Sequence, residues 1–327
     1  MRSDDPAADR PPVSVGVSVD LYWSAEAGGH VKCWERFAEQ AALRSGDVDL
    51  TIYMLGDGDK TIDIGGATRV RLLPPKRGTD RYAATRGGGG GGDTDLARNH
   101  AGLAKLIRRH DVLHATGPFS FGRTMKRVAD QTRTPFIYSI HTDHAAFARV
   151  YSERIIRRRF GENWVARMAL GRFDAKDRAE KAMRKRVLTM VAGADALLYS
   201  RDSDRAYAQQ REPPRAVGKL RRGVDASRFN PAHRNAAKMK RAFGIPEEAL
   251  ILLFVGRIDE SKGVDILIEA ARRLLDIGLK IHILAVGGGG QEEAFRRAVG
   301  PNASLPGPLA QETLATIYAS SDVFVFP

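Results

Sequence analysis

An arginine and a lysine, Arg257 and Lys262, lie in the segment GRIDESKG (256–263), directly after the apolar run ILLFV. A strand that ends on Gly256 and turns into a helix brings both cations to one helix N-terminus. There a guanidinium can grip a diphosphate by paired hydrogen bonds, and an ammonium can add a point charge. Solvated surface cations are the simpler reading, but strand, glycine, cations and helix coincide here. The imidazole of His141, in FIYSIHTD, stands at a strand end and could position a hydroxyl or meet a developing charge. It could equally be tied to a neighbouring backbone carbonyl. Gly28 and Gly29 follow the first strand, where glycines let a backbone approach a phosphate; a plain tight turn explains them as well. Gly287 and Gly288 open a glycine run after KIHILAV, but Glu292 stands where the dinucleotide pattern G-x-G-x-x-G needs its third glycine, which argues against a redox cofactor. Asp143 and His144 could suggest a metal pair, yet no further ligands stand at useful spacing, so no metal site is expected.

These residues must be held by strands and helices. Val13, Val15, Val17 and Val19 alternate, as in a strand. The segment around Trp34, Phe37 and Ala41 keeps helical spacing. Strand-like and helix-like segments then alternate along the chain, which predicts an α/β fold with doubly wound, mostly parallel sheets. KLRRGVDASRFNPAHRN is polar and broken by Gly and Pro, and reads as a crossover. We therefore expect an N-terminal domain over 1–230 and a C-terminal domain over 231–327. Residues 75–95, with six consecutive glycines, read as a mobile loop. The second domain shows about four strands, and the chain stops on the last, VFVFP, so that domain looks incomplete.

The chain has 327 residues, 43% hydrophobic, and a formal charge of +13. That is enough apolar material for two cores, and the charge suits anionic partners. Its single cysteine, Cys33, excludes an intramolecular disulfide and a Cys-rich zinc site. No signal peptide and no membrane-spanning run is visible, so a cytoplasmic protein is expected. Twelve Lys/Arg against four Asp/Glu fall within 154–186, where Ile156, Phe160, Trp164 and Met168 recur every fourth residue. This basic amphipathic pattern fits either an anionic membrane surface or a helix with an apolar face on the core and a solvated basic back. Nucleic acid is not expected, because no stacking aromatics or recognised module accompany the charge.

Together these segments resemble the retaining family-4 glycosyltransferases of the GT-B fold. FVGRIDESKGVDILIEAARRL is similar to that family's G-R-x-x-x-x-K-G-x-x-x-L-I-x-A signature. The GGH loop, the HTD element, LRRGVDASRFNP and ASSDVFVFP support it, and the R-G-V-D and I-H-T-D forms look most like the lipid-glycosylating branch. The resemblance implies a GT-B pair of Rossmann-like domains and transfer of a hexose from a UDP- or GDP-sugar, with retention, to a lipid or small-molecule acceptor at the inner membrane face. It implies that Arg257 and Lys262 hold and stabilise the leaving diphosphate, Gly28 and Gly29 approach it, and His141 sits beside the sugar. Gly256, Gly287 and Gly288 would line the donor site, and the segment from Leu305 to Gly307 would pass near the base. No metal cofactor is implied, because the two cations neutralise the diphosphate. The family's paired glutamates lie beyond VFVFP, so the 327-residue chain is expected to show little transfer; the alternative is a relative that only binds nucleotide or nucleotide sugar.

Overall fold

The computed structural model describes residues 11–24, 29–76, 94–161, 163–209, 213–221 and 223–327. They form two compact units, and the second begins at Gly223. The first is built on an eight-stranded sheet in the order β3-β4-β2-β1-β5-β6-β7-β8. Its strands are β1 (Val13–Tyr22), β2 (Val48–Leu55), β3 (Lys60–Gly65), β4 (Thr68–Leu73), β5 (Val112–Ala115), β6 (Phe136–Ile140), β7 (Ala196–Tyr199) and β8 (Ala216–Lys219). All neighbours are parallel except β3 and β4, which form an antiparallel hairpin. β3 escapes the hydrophobic pattern because KTIDIG is mostly exposed; pairing with β4 makes it a strand.

β1 pairs with β2 on one side and β5 on the other, so the chain reverses its direction of travel across the sheet at β1. Val17 and Val19 pack with Val31, Trp34 and Ala38 of α1 (Gly29–Ala42) on one face. The alternate residues Ser18 and Asp20 are also buried, which a Val/Ser alternation alone does not suggest. On that second face, α2 (Ala101–Leu106), α3 (Ser120–Thr132) and α6 (Ala175–Ala192) supply Leu103, Phe121, Met125 and Met190 to the larger core. The long basic stretch divides into α4 (His144–Phe160), α5 (Trp164–Leu170) and α6, with breaks at Gly161 and Gly171.

The second unit carries a four-stranded parallel sheet in the order β11-β10-β9-β12, from β9 (Leu250–Val255), β10 (Ile281–Val286), β11 (Ala303–Gly307) and β12 (Val323–Phe324). β9 and β10 are almost wholly apolar because helices cover both faces. α8 (Val264–Asp276) and α9 (Glu292–Val299) pack on one face through Leu267, Ala271 and Phe295. α7 (Ala236–Phe243) and α10 (Gln311–Ser320) pack on the other through Met239 and Ile317. Here the switch in strand order falls between β9 and β12.

Candidate active site

In the second unit the carboxyl ends of β9, β10 and β11 are laced together by backbone hydrogen bonds. Gly256 N–H donates to Val286 C=O at 3.0 Å, and Gly287 N–H donates to Gly307 C=O at 3.0 Å. Gly287 has φ +137°, and a Cβ there would stand 1.9 Å from the Gly256 carbonyl oxygen. Only glycine fits, because both the dihedral and the contact exclude a side chain. After Gly256 the chain passes Arg257, makes a short 3-10 turn at Glu260–Lys262 and enters α8 through Gly263 at φ +66°. Arg257 and Lys262 thus flank one β–α corner at the switch point. The Arg257 guanidinium lies 3.3 Å from Asp259, and Lys262 Nζ stands 5.4 Å from the centre of the Phe326 ring. A Cβ on Gly263 would come within 3.0 Å of Pro327, so the segment after β12 closes over this corner. The first N–H groups of α8 have no acceptor within the helix and carry its positive end. The corner can therefore hold a dianion, for which Asp259 competes weakly; a half-exposed ion pair of this kind contributes up to about 1 kcal/mol.

Six residues singled out in the sequence come together here: Gly256, Arg257, Lys262, Gly287, Gly288 and Gly307. Leu305 differs. Its side chain is buried in the core with Phe295 and Ile283, because β11 alternates and this position faces inward. The side chain that this segment exposes is that of its neighbour Pro306.

In the first unit Gly28 lies outside the described residues. Gly29 is the first residue of α1, with open space around it. His141 follows β6 and is 6% exposed. The Ser139 hydroxyl lies 2.9 Å from its Nε2. The same hydroxyl lies 2.9 Å from Nε2 of His114 on β5. His30, next to Gly29, stacks on His141 with ring centres 4.3 Å apart, and Trp34 meets His114 edge-on at 5.2 Å. Burial pushes His114 down to about 4, so it is neutral. Sequence reasoning missed His30, His114 and Ser139. The Ser139-x-His141 spacing signals a shared strand face, but only the β5–β6 pairing brings His114 to it.

Asp143 and His144 are claimed by local structure. Asp143 Oδ1 accepts the Ala146 N–H at 2.9 Å and caps α4. Burial acts to raise its carboxyl, but the Ala146 N–H and the Arg201 guanidinium prevail and hold it below the usual range. His144 lies edge-on to Phe119, and burial pushes it down to about 4. Among the described residues no group of three or more His, Cys, Asp or Glu is placed to hold a metal. Asp20, at the end of β1, was also missed. Its carboxylate accepts N–H bonds from Phe121 at 2.7 Å and Gly122 at 3.2 Å, and so occupies the N-terminus of α3 from within. Burial raises it to about 6 against the lowering effect of those N–H groups. In the basic stretch, Phe160 and Trp164 are 41% and 64% exposed, so neither faces the core.

The family described as "Glycosyl transferases group 1" matches residues 249–327, the segment that carries the β9–α8 corner. A starch synthase IV catalytic domain from Arabidopsis thaliana, solved with ADP and acarbose, covers 97% of this chain and 78% of its own at TM-score 0.56 and 12% identity. WaaG, a glycosyltransferase involved in lipopolysaccharide biosynthesis, covers 96% of this chain and 74% of its own at TM-score 0.56 and 16% identity. The fold is GT-B. By sequence the similarity to group 1 glycosyltransferases lies in that C-terminal segment. The chain is 28% identical over 227 residues to a GDP-mannose-dependent alpha-mannosyltransferase from Corynebacterium glutamicum, covering 69% of this chain and 48% of that protein. It is 30% identical over 192 residues to a D-inositol 3-phosphate glycosyltransferase from Thermobifida fusca, covering 57% and 39%. The chain thus spans about half or less of the length of these two relatives.

Proposed function

We propose that this GT-B protein transfers a hexose from a nucleoside-diphosphate sugar to an acceptor, with retention of configuration and without a metal. The observation that carries the reading is the β9–α8 corner, where Arg257 and Lys262 flank a helix N-terminus at the sheet's switch point. A guanidinium, an ammonium and the positive end of the helix neutralise a departing diphosphate as its charge grows, the work a divalent cation would otherwise do. One relative is named for GDP-mannose, which favours a GDP-linked hexose as donor; the family resemblance adds a UDP-linked one. The resemblance assigns His141 to the transferred sugar. Titration with GDP-mannose and UDP-glucose, with release of nucleoside diphosphate as the readout, tests this. Arg257→Ala and Lys262→Ala should each weaken donor binding at least tenfold, and EDTA should change nothing. Donor binding indifferent to both substitutions would overturn the reading.

The acceptor we infer is a lipid at the cytoplasmic face of a membrane. Phe147, Phe160, Trp164 and Phe173 are exposed in and around α4 and α5, within or beside the basic segment 154–186. Aromatic side chains beside many cations fit the headgroup layer of an anionic bilayer. Among the described residues no helix is long and apolar enough to cross a membrane. Transfer to an acceptor in vesicles containing anionic lipid, and not to inositol phosphate in solution, is the expected result. The reverse preference would reject the lipid acceptor and favour a polar one, as in the relatives named for inositol 3-phosphate.

A further inference from the structure

The polar cluster beneath α1 is unusual for the interior of a parallel sheet. His114, Ser139 and His141 occupy the face of β5 and β6 that packs toward α1, and they are 7%, 0% and 6% exposed. Burial of three polar side chains is costly unless their hydrogen bonds are satisfied. The Ser139 hydroxyl stands 2.9 Å from each of two imidazole nitrogens, His114 Nε2 and His141 Nε2. A hydroxyl has a single proton to give and lone pairs to receive with. It can donate to one ring only, and the other ring must then donate to it. If both facing nitrogens carried protons, the hydroxyl proton would be left without either ring as acceptor. If both were bare, one nitrogen would face an oxygen with no proton between them.

We propose that Ser139 and His114 are positioning residues for His141, coupling the two rings so that one and only one of the facing Nε2 atoms carries a proton. His114 and His141, when neutral, then hold opposite tautomers. When His141 is charged, Ser139 turns its proton to His114, whose Nε2 must be bare. For the neutral ring, the state of the other nitrogen of His141, Nδ1, is set in this way from inside the sheet. Trp34 against His114 and His30 stacked on His141 hold the planes of both rings, so the hydrogen bonds keep their direction. Burial keeps His114 neutral near pH 7. The consequence for chemistry rests on the reading of His141 as the residue beside the sugar: whether Nδ1 of the neutral ring meets a hydroxyl as donor or as acceptor is coupled to the tautomer of His114.

The test is made on the full chain labelled with 15N-histidine and without ligand. Long-range 1H–15N correlation distinguishes protonated from bare ring nitrogens, and His114→Phe and His141→Phe variants assign the two rings. The expected spectrum shows a protonated Nε2 on one ring and a bare Nε2 on the other. Ser139→Ala should change the Nε2 shift of His141 and end the complementarity; His114→Phe should change it through the hydroxyl alone. Two protonated or two bare facing nitrogens in the parent chain would overturn the proposal. So would a His141 spectrum unchanged by Ser139→Ala or His114→Phe in a folded protein. Because the parent spectrum is decisive, a variant that fails to fold does not rescue the idea. Where transfer is measured, Ser139→Ala should lower kcat with little change in the KM for donor. Absence of any transfer would count against the donor reading and leave the tautomer result standing.

Discussion

Asp20 offers a prediction whose size follows from the structure. Its carboxylate is 3% exposed at the end of β1 and accepts two N–H bonds from the start of α3. Burial raises it from 3.8 to about 6. The folded protein therefore binds the proton more tightly than the unfolded chain does. Stability linked to Asp20 is greatest below the unfolded value and falls as pH rises from about 4 through about 6. A shift of this size corresponds to on the order of 3 kcal/mol lost across that window. Asp20→Asn keeps the shape and removes the titration, although its amide must face one N–H with an N–H of its own. The difference in unfolding free energy between parent and Asp20→Asn should thus depend on pH, shifting against the parent by about 3 kcal/mol between pH 4 and pH 7. Urea titrations at half-unit pH steps, followed by a probe in the first unit such as Trp34 fluorescence, would measure it. Taking the difference cancels the other carboxylates. A difference that stays flat, or one that moves in the parent's favour as pH rises, would refute the assignment of burial as the dominant effect.

Other expectations are as direct. Gly287→Ala forces a Cβ against the Gly256 carbonyl at an unfavourable φ, so thermal melts should show destabilisation of about 3 kcal/mol or more in the second unit. Asp259→Asn removes the carboxylate paired with Arg257 and should tighten GDP binding several-fold by calorimetry; weaker binding would show that Asp259 positions the guanidinium rather than competes for it. Arg257→Lys keeps the charge but loses the fork, and should cost most of what Arg257→Ala costs. Trp164→Ser together with Gln at Arg157, Arg158 and Arg159 should release the protein from vesicles containing anionic lipid. Binding that ignores lipid charge would mean the basic stretch is merely solvated.

The amino-acid sequence by itself determined the parallel α/β architecture. Apolar runs such as ILLFV can be satisfied only by strands covered on both faces, and the helices between them carry a visible apolar stripe. It determined the β9–α8 corner as well, since glycine, arginine, lysine and helix start are contiguous and need no distant partner. Tertiary structure alone decided the rest. His114 joins Ser139 and His141 because β5 and β6 pair in one register, across 25 residues of chain. Asp20 became a buried cap because α3, 100 residues on, lies over the polar side of β1. Leu305 turned into the core, and Phe160 and Trp164 turned outward although helical spacing allowed a core face. Local signals record what a segment can form; which of its two faces is covered, and by which charges, is a property of long-range packing that no window of neighbouring residues contains.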